Sequence, residues 1–413
     1  MSTADTVAGL AGFQERGAGS DAERRAALWL AQEAESSRRT AEIETFWCRP
    51  NWALSTAWHV ALAIAGSLVS VSSAKVGGGL VLAALVFVAL DAVIGRSPGR
   101  RLTAERASQN IVSRRRGEDK PIRLIVTANY DAGRAGLVYR DPLRRLASRL
   151  RGVAGPATPG WLGWIALAMI WLLAVAVLRA EGAAGNGIGV AQLIPTAGLV
   201  LALALLLDLG SAAFGPAAGD NASGVAVALA LVRALDVAPP QRLSVELVLQ
   251  GAGDGTMTGL TRHLRKRRKE LRPAQTIVLG IAASGEGGPV WWVGDGALIP
   301  LRYFRRLTEI AARIAGPQTE HGARPQRGRG VTPALPARFA GLPALTIGCL
   351  GGGVAPRSHQ RGDVPEALDR GAMDGLLGLA LALVDAIDAD LRSPAPSVGV
   401  TPAKAAAGAG PQR

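Results

Sequence analysis

Four apolar runs interrupt a chain that elsewhere alternates in the manner of packed helices and strands. Residues 51–72 and 76–95 form one pair and 160–178 and 188–207 a second, each about long enough to cross a bilayer. Ser72 to Val76 is too short for anything but a turn, so the first pair reads as a hairpin. Trp47, Trp52 and Trp58 gather at one end of it, and Trp161 and Trp164 open the second pair, as interfacial anchors do. Pro195 is expected to kink the last run. His59, Gln192 and, near an end, Asp91 are the polar groups in these runs, too few to line a transport path. His59 has no visible partner and reads as a polar group near the headgroups.

Outside the runs the pattern is α/β. Ser20 and Asp21 can cap a helix with Glu23 in its first turn, and Ala26, Leu28, Trp29, Leu30 and Ala31 give it an apolar face. Strands are expected over 41–46, 110–113, 122–128, 243–249, 276–282, 290–293 and 344–348, and helices over 225–235, 260–271 and 367–391. The basic helix at 260–271 reads as a solvated or headgroup-facing surface. Residues 251–259 make a Gly-rich turn and 316–331, rich in Arg, Gly and Pro, a flexible loop. The expected fold is an α/β domain with a mixed central sheet and helices on both faces, interrupted by two transmembrane helical hairpins. Its parts are 1–50, 96–159 and 209–391, with hairpins at 51–95 and 160–208 and a disordered tail over 392–413.

Charge orients this picture. The 413 residues are 49% hydrophobic but only 4% aromatic, and the net charge of +14 comes mostly from Arg. The aromatic and Gly patterns of RNA modules are missing, so no nucleic-acid partner is expected. The outer links hold one basic residue each, Lys75 and Arg179, whereas the 96–158 link is dense in Arg. The positive-inside rule therefore expects a multi-pass protein of the cell membrane, in contact with membrane lipid, its α/β domain and both termini cytoplasmic. No signal-peptide pattern opens the chain. With only Cys48 and Cys349, neither a disulfide framework nor a thiolate zinc site can be built, so any metal must use His and carboxylates.

Two stretches carry candidate chemistry. Gly219-Asp220-Asn221-Ala222-Ser223-Gly224 is a tight turn opening a helix; Asp220 either N-caps that helix or is held rigidly as a ligand. Ala128-Asn129-Tyr130-Asp131 closes a strand at its carboxyl end, where open α/β sheets place ligands.

The Asp-Asn-x-Ser-Gly string running into the apolar helix resembles the metal-binding turn of the di-zinc aminopeptidases, Peptidase family M28. Gly19-Ser20-Asp21-Ala22-Glu23-Arg24 is similar to the family's G-S-x-x-E-R ahead of its first helix. The resemblance covers roughly 17–50, 107–131 and 212–390 and implies a zinc-exopeptidase fold, with Asp220 as the bridging carboxylate. It also shows departures. Where the family has A-H-Y-D, this chain has Asn129 for the His ligand and keeps Asp131, which there orients that His. Where it has G-A-E-E, this chain has Gly253 for the general base and Asp254 for the ligand. The Asp of N-L-D-M-x-G corresponds to Ala282, and the S-D-H-x-P-F stretch to Thr332-Pro333-Ala334-Leu335-Pro336-Ala337. The last motif survives as His359, Asp363 and Glu366. One ligand set is thus lost except for the bridge. The other remains as Asp220, Asp254 and His359, enough for at most one zinc. Glu286 is the nearest replacement base in sequence. The implied function is a membrane-anchored, zinc-aminopeptidase-like pseudo-enzyme binding a peptide, metal or protein partner; the alternative is an active membrane-bound exopeptidase removing N-terminal residues.

Overall fold

A computed structural model describes residues 2–118, 120–154, 158–316, 319–352 and 354–392; the tail expected from 392 falls, from 393 on, outside the described residues. Ser2 caps α1 (Thr3–Ala11) through a capping box with Asp5. Ser20 caps α2 (Asp21–Ala34) by accepting from the Glu23 amide. Strand β1 (Arg39–Cys48) leads directly into α3 (Trp52–Val69), whose partner α4 (Ala74–Ile94) returns to α5 (Pro98–Arg101). Then come β2 (Arg106–Arg115), β3 (Ile122–Asn129) and α6 (Asp141–Ala154).

A second long pair follows, α7 (Trp161–Ala180) and α8 (Asn186–Ser211). Helix α8 runs through Pro195 without a break, and the Thr196 hydroxyl donates to the Gln192 carbonyl beside it at 2.7 Å. Helix α3 packs on α4 and α8, and α7 on α4 and α8, closing a four-helix bundle around Val60, Val81, Met169 and Leu199. Unlike a soluble bundle, it is apolar on its outside as well: Leu68, Leu82, Trp171, Leu193 and Leu201 are among its exposed side chains.

The rest completes the sheet. Helix α9 (Gly224–Val237), β4 (Leu243–Gln250), α10 (Thr258–Lys266), β5 (Thr276–Ile281), β6 (Gly288–Asp295), β7 (Leu301–Arg302) and α11 (Arg305–Ala315) are followed by β8 (Arg324–Arg327), α12 (Leu335–Phe339), β9 (Ala344–Leu350) and α13 (Arg370–Arg392). Among the described residues nine strands form one mixed sheet ordered β1-β2-β4-β3-β5-β9-β6-β7, with β8 on β6. Strands β4, β3, β5 and β9 are mutually parallel and buried. Helices α1, α2, α9, α11 and α13 cover one face and α10 and α12 the other.

Two expectations are corrected. Residues 324–327, read as loop, form β8: the Arg-Pro-Gln-Arg segment disguises a strand, and its largely exposed edge position tolerates a proline. The basic stretch around α10 is not wholly solvated, because His263 and Arg267 turn inward onto Glu44 and Glu246. Among the described residues five helical segments are long and apolar enough to cross a membrane. The fifth, Ala218–Val237, is 78% buried against 22–50% for the bundle helices, because it is the central helix of the sheet's core.

Candidate functional site

The parallel strands end together, and their carboxyl ends carry the motif residues. Asn129 ends β3, Gly251 to Thr256 follow β4, and Ala282 follows β5. Two further segments, 217–223 and 357–363, lie over these ends.

Two buried aspartates shape the turns. Asp131 accepts from the Gly253 and Asp254 amides at 2.8 and 3.0 Å, and Asp363 accepts from the Gly219 and Asp220 amides at 2.6 and 3.1 Å. Each thereby aims the neighbouring carboxylate, Asp254 or Asp220, at the same spot. Asp220 does not cap α9. Its side chain accepts from the Ser358 hydroxyl instead.

His359 stands between these carboxylates, its Nε2 3.2 Å from Asp254 Oδ1 and 3.8 Å from Asp220 Oδ2. Its Nδ1 lies 3.2 Å from the Arg134 carbonyl and donates to it. The ring stacks on Tyr139 at 4.1 Å. It also lies so close to Gly133 that a Cβ there would sit 2.1 Å from Cε1. Burial works against a charged imidazole, but Asp254, then Asp220, outweigh it and raise the His359 pKa to about 9. In this arrangement an imidazolium bridges two carboxylates.

Beneath the site lies a buried acid network. Glu23 accepts from Ser108 Oγ and from the Gly19 and Ala252 amides, which ties α2 to the turn after β4. Burial holds Glu23 and Asp131 above the ordinary carboxylate range, reinforced at Glu23 by the charge of Asp131 and at Asp131 by that of Asp254. Burial likewise pushes Asp363 up to about 6. Arg16, fully buried, donates to the carbonyls of Tyr130, Pro216 and Ala217, clamping the strand end to the Asp220 turn.

The departing positions are occupied in other ways. Asn129 Oδ1 accepts from Asn221 Nδ2 at 3.1 Å, so its oxygen is engaged within the protein. A Cβ at Gly253 would lie 2.3 Å from Asn129 Cβ, so the backbone there leaves no room for a side chain. Ala282 offers no donor. Glu286 is paired with Arg357. Glu366 lies in a short 3-10 turn ahead of α13.

The donor types of Asp220, Asp254 and His359 fit one zinc ion, whereas Asn129 and Ala282 do not fit a second. Among the described residues, however, no group of three or more His, Cys, Asp and Glu side chains is arranged as a metal cluster.

Sequence reasoning missed Arg16, Tyr139 and Ser358. Ser358 adjoins the surviving His359 and could have been found from that position. Arg16 binds only backbone carbonyls and Tyr139 only a ring face, contacts that leave no spacing signal.

Residues 207–384 match the model for Peptidase family M28. That stretch holds Asp220, Asp254 and His359, and the resemblance read from the motifs is borne out there. No curated protein sequence matches the chain. Among solved structures, LapA from Legionella pneumophila superposes over 94% of this chain and 72% of its own, with a TM-score of 0.51 and 12% identity. LapB from the same organism gives 94% and 71%, 0.50 and 11%. A Zn-dependent exopeptidase from Parabacteroides distasonis gives 93% and 96%, 0.50 and 12%. At these identities the likeness shows the fold, which is the zinc-exopeptidase-like mixed sheet expected.

Proposed function

We propose that this protein is a membrane-anchored M28-type domain that has lost hydrolytic power and uses the Asp220–Asp254–His359 pocket to bind a peptide or protein partner. The observation that carries this reading is the packing at Gly253. The family resemblance puts the general base there, and the backbone lies too close to Asn129 for any side chain to be added. Glu286 is engaged by Arg357 and so makes a poor substitute. Asp220, Asp254 and His359 would hold at most one zinc ion, which when bound would supply a Lewis-acid centre for a carbonyl oxygen. Without a base, these residues are suited to orienting an N-terminal amine or a carbonyl beside paired carboxylates.

The anchoring rests on the four bundle helices and their apolar outer surface. Both hairpins leave the sheet domain and return to it, which makes them insertions in one α/β domain. Arg density in the 96–158 link favours a cytoplasmic domain.

Binding separates from cleavage experimentally. The detergent-solubilised protein is incubated with fluorescent short peptides, and both anisotropy and product are followed. The expected result is saturable binding with peptides recovered intact, and loss of binding in His359→Ala. Absence of binding to every peptide, with the fold intact by circular dichroism, would contradict the reading.

A further inference from the structure

A cavity of about 820 Å³ lies where the bundle meets the α/β domain, bordered by Gly255 and Thr256 of the turn that carries Asp254 but by none of Asp220, Asp254 and His359. The ends of α3, α4 and α7 form one wall, and α10, α12 and the β6–β7 turn the other. Seven arginines and two carboxylates line it. The carboxylates are already matched: Arg100 Nε lies 2.7 Å from Asp91 Oδ1, and Arg49 Nη2 3.6 Å from Glu105 Oε2. The remaining arginines are Arg96, Arg101, Arg262, Arg265 and Arg268, and among the described residues none of them forms an ion pair. Burial, then the charges of Arg262 and Arg96, lowers the Arg265 pKa from its ordinary value, so these guanidinium groups sense one another.

A second observation is independent of the arginines. His59 lines the same cavity and is 2% exposed, yet neither ring nitrogen has a hydrogen-bond partner. The α5 backbone presses on it; a Cβ at Gly99 would lie 2.6 Å from Nε2. A buried imidazole needs a partner at one nitrogen at least, and this ring borders the cavity.

The rest of the lining is apolar. Trp52 and Trp161 pack ring to ring at 5.1 Å, and Val93, Ile299 and Phe339 are exposed nearby. Guanidinium groups beside an apolar wall match a phosphate that carries hydrocarbon chains. We propose that this cavity is a binding site for the phosphate headgroup of an anionic membrane lipid, with the arginines on the phosphate and the acyl chains along the bundle. The proposal rests on the anchoring argued above, which places this junction at headgroup level.

Among the described residues Arg101 and Arg268 make no side-chain bond, so replacing them removes charge without removing support. The full chain in zwitterionic detergent is titrated calorimetrically with dioctanoyl phosphatidylglycerol, dioctanoyl phosphatidylcholine and inorganic phosphate. Saturable binding of the glycerol lipid is expected, with the other two weaker by about tenfold or more. Arg101→Ala with Arg268→Ala should weaken it by about tenfold per charge-assisted bond lost. His59→Phe, which fills the ring's place without its nitrogens, should weaken it as well. Equal binding of phosphatidylcholine, equal binding of inorganic phosphate, or an unchanged double variant would each overturn the proposal. Release of the protein from membranes by alkaline carbonate would overturn the anchoring, and with it the lipid as source, whatever the titration gives.

Discussion

Gly253 is the residue on which the proposed loss of hydrolysis turns. Its amide is held by Asp131, and the position of its missing Cβ is blocked by Asn129. Returning a carboxylate by Gly253→Glu should therefore not restore a base. It should instead lower stability, as should Gly253→Ala, by about 1–3 kcal/mol as for other overpacked interiors. Denaturant unfolding of each variant, with and without Asn129→Gly to open the space, checks this; a Gly253→Ala variant as stable as the parent would contradict it. The motif residues were legible because aspartate, glycine and histidine recur at family spacings. The fit between Gly253 and Asn129 was not, because two residues 124 positions apart in sequence meet only through the β3–β4 pairing. The same holds for Arg16, whose partners are carbonyls more than a hundred residues away.

Among the elements, α10 is attached by buried charge. His263 lies 3.0 Å from Glu44 and 3.2 Å from Glu246, and Arg267 also pairs with Glu44. Burial opposes the Glu246 carboxylate, but His263 and Arg114 outweigh it and depress its pKa from 4.5 to about 2. A carboxylate with a depressed folded pKa stabilises above its unfolded value, and that contribution fades as pH falls from about 4.5 towards 2. Unfolding midpoints should therefore drop steeply across this window, and Glu246→Gln should flatten the drop while lowering stability at neutral pH. An unchanged acid limb in the variant would count against the network. The sequence displayed α10 as a basic face but not its inward members, since His263 and Arg267 sit one turn apart among outward arginines. Alternation marked β1, and short strand-like runs marked β2 to β6 and β9, whereas β7 was not read and β8 was masked by its proline and arginines.

For the molecule as a whole, the proposed membrane topology rests on the apolar runs and the Arg-rich link. The bundle's pairing follows from short turns between long helices, and β1 runs directly into α3 as α5 runs directly into β2. If the α/β domain is cytoplasmic, a cysteine introduced by Arg116→Cys should resist impermeant maleimide in intact cells and react after permeabilisation. Cys48 and Cys349 are both buried and add little background. Efficient labelling from outside would reverse the topology.

The central claim, that the M28-like site binds without hydrolysing, is tested most directly by turnover. The parent protein and Asp220→Ala are compared with added zinc on a panel of aminoacyl and short-peptide substrates. Losing a general base costs on the order of 100- to 10,000-fold, and a site limited to one ion, as proposed, would lose further stabilisation of the developing oxyanion. The predicted result is hydrolysis at or near background for both proteins. Robust turnover by the parent, abolished in Asp220→Ala, would contradict the account.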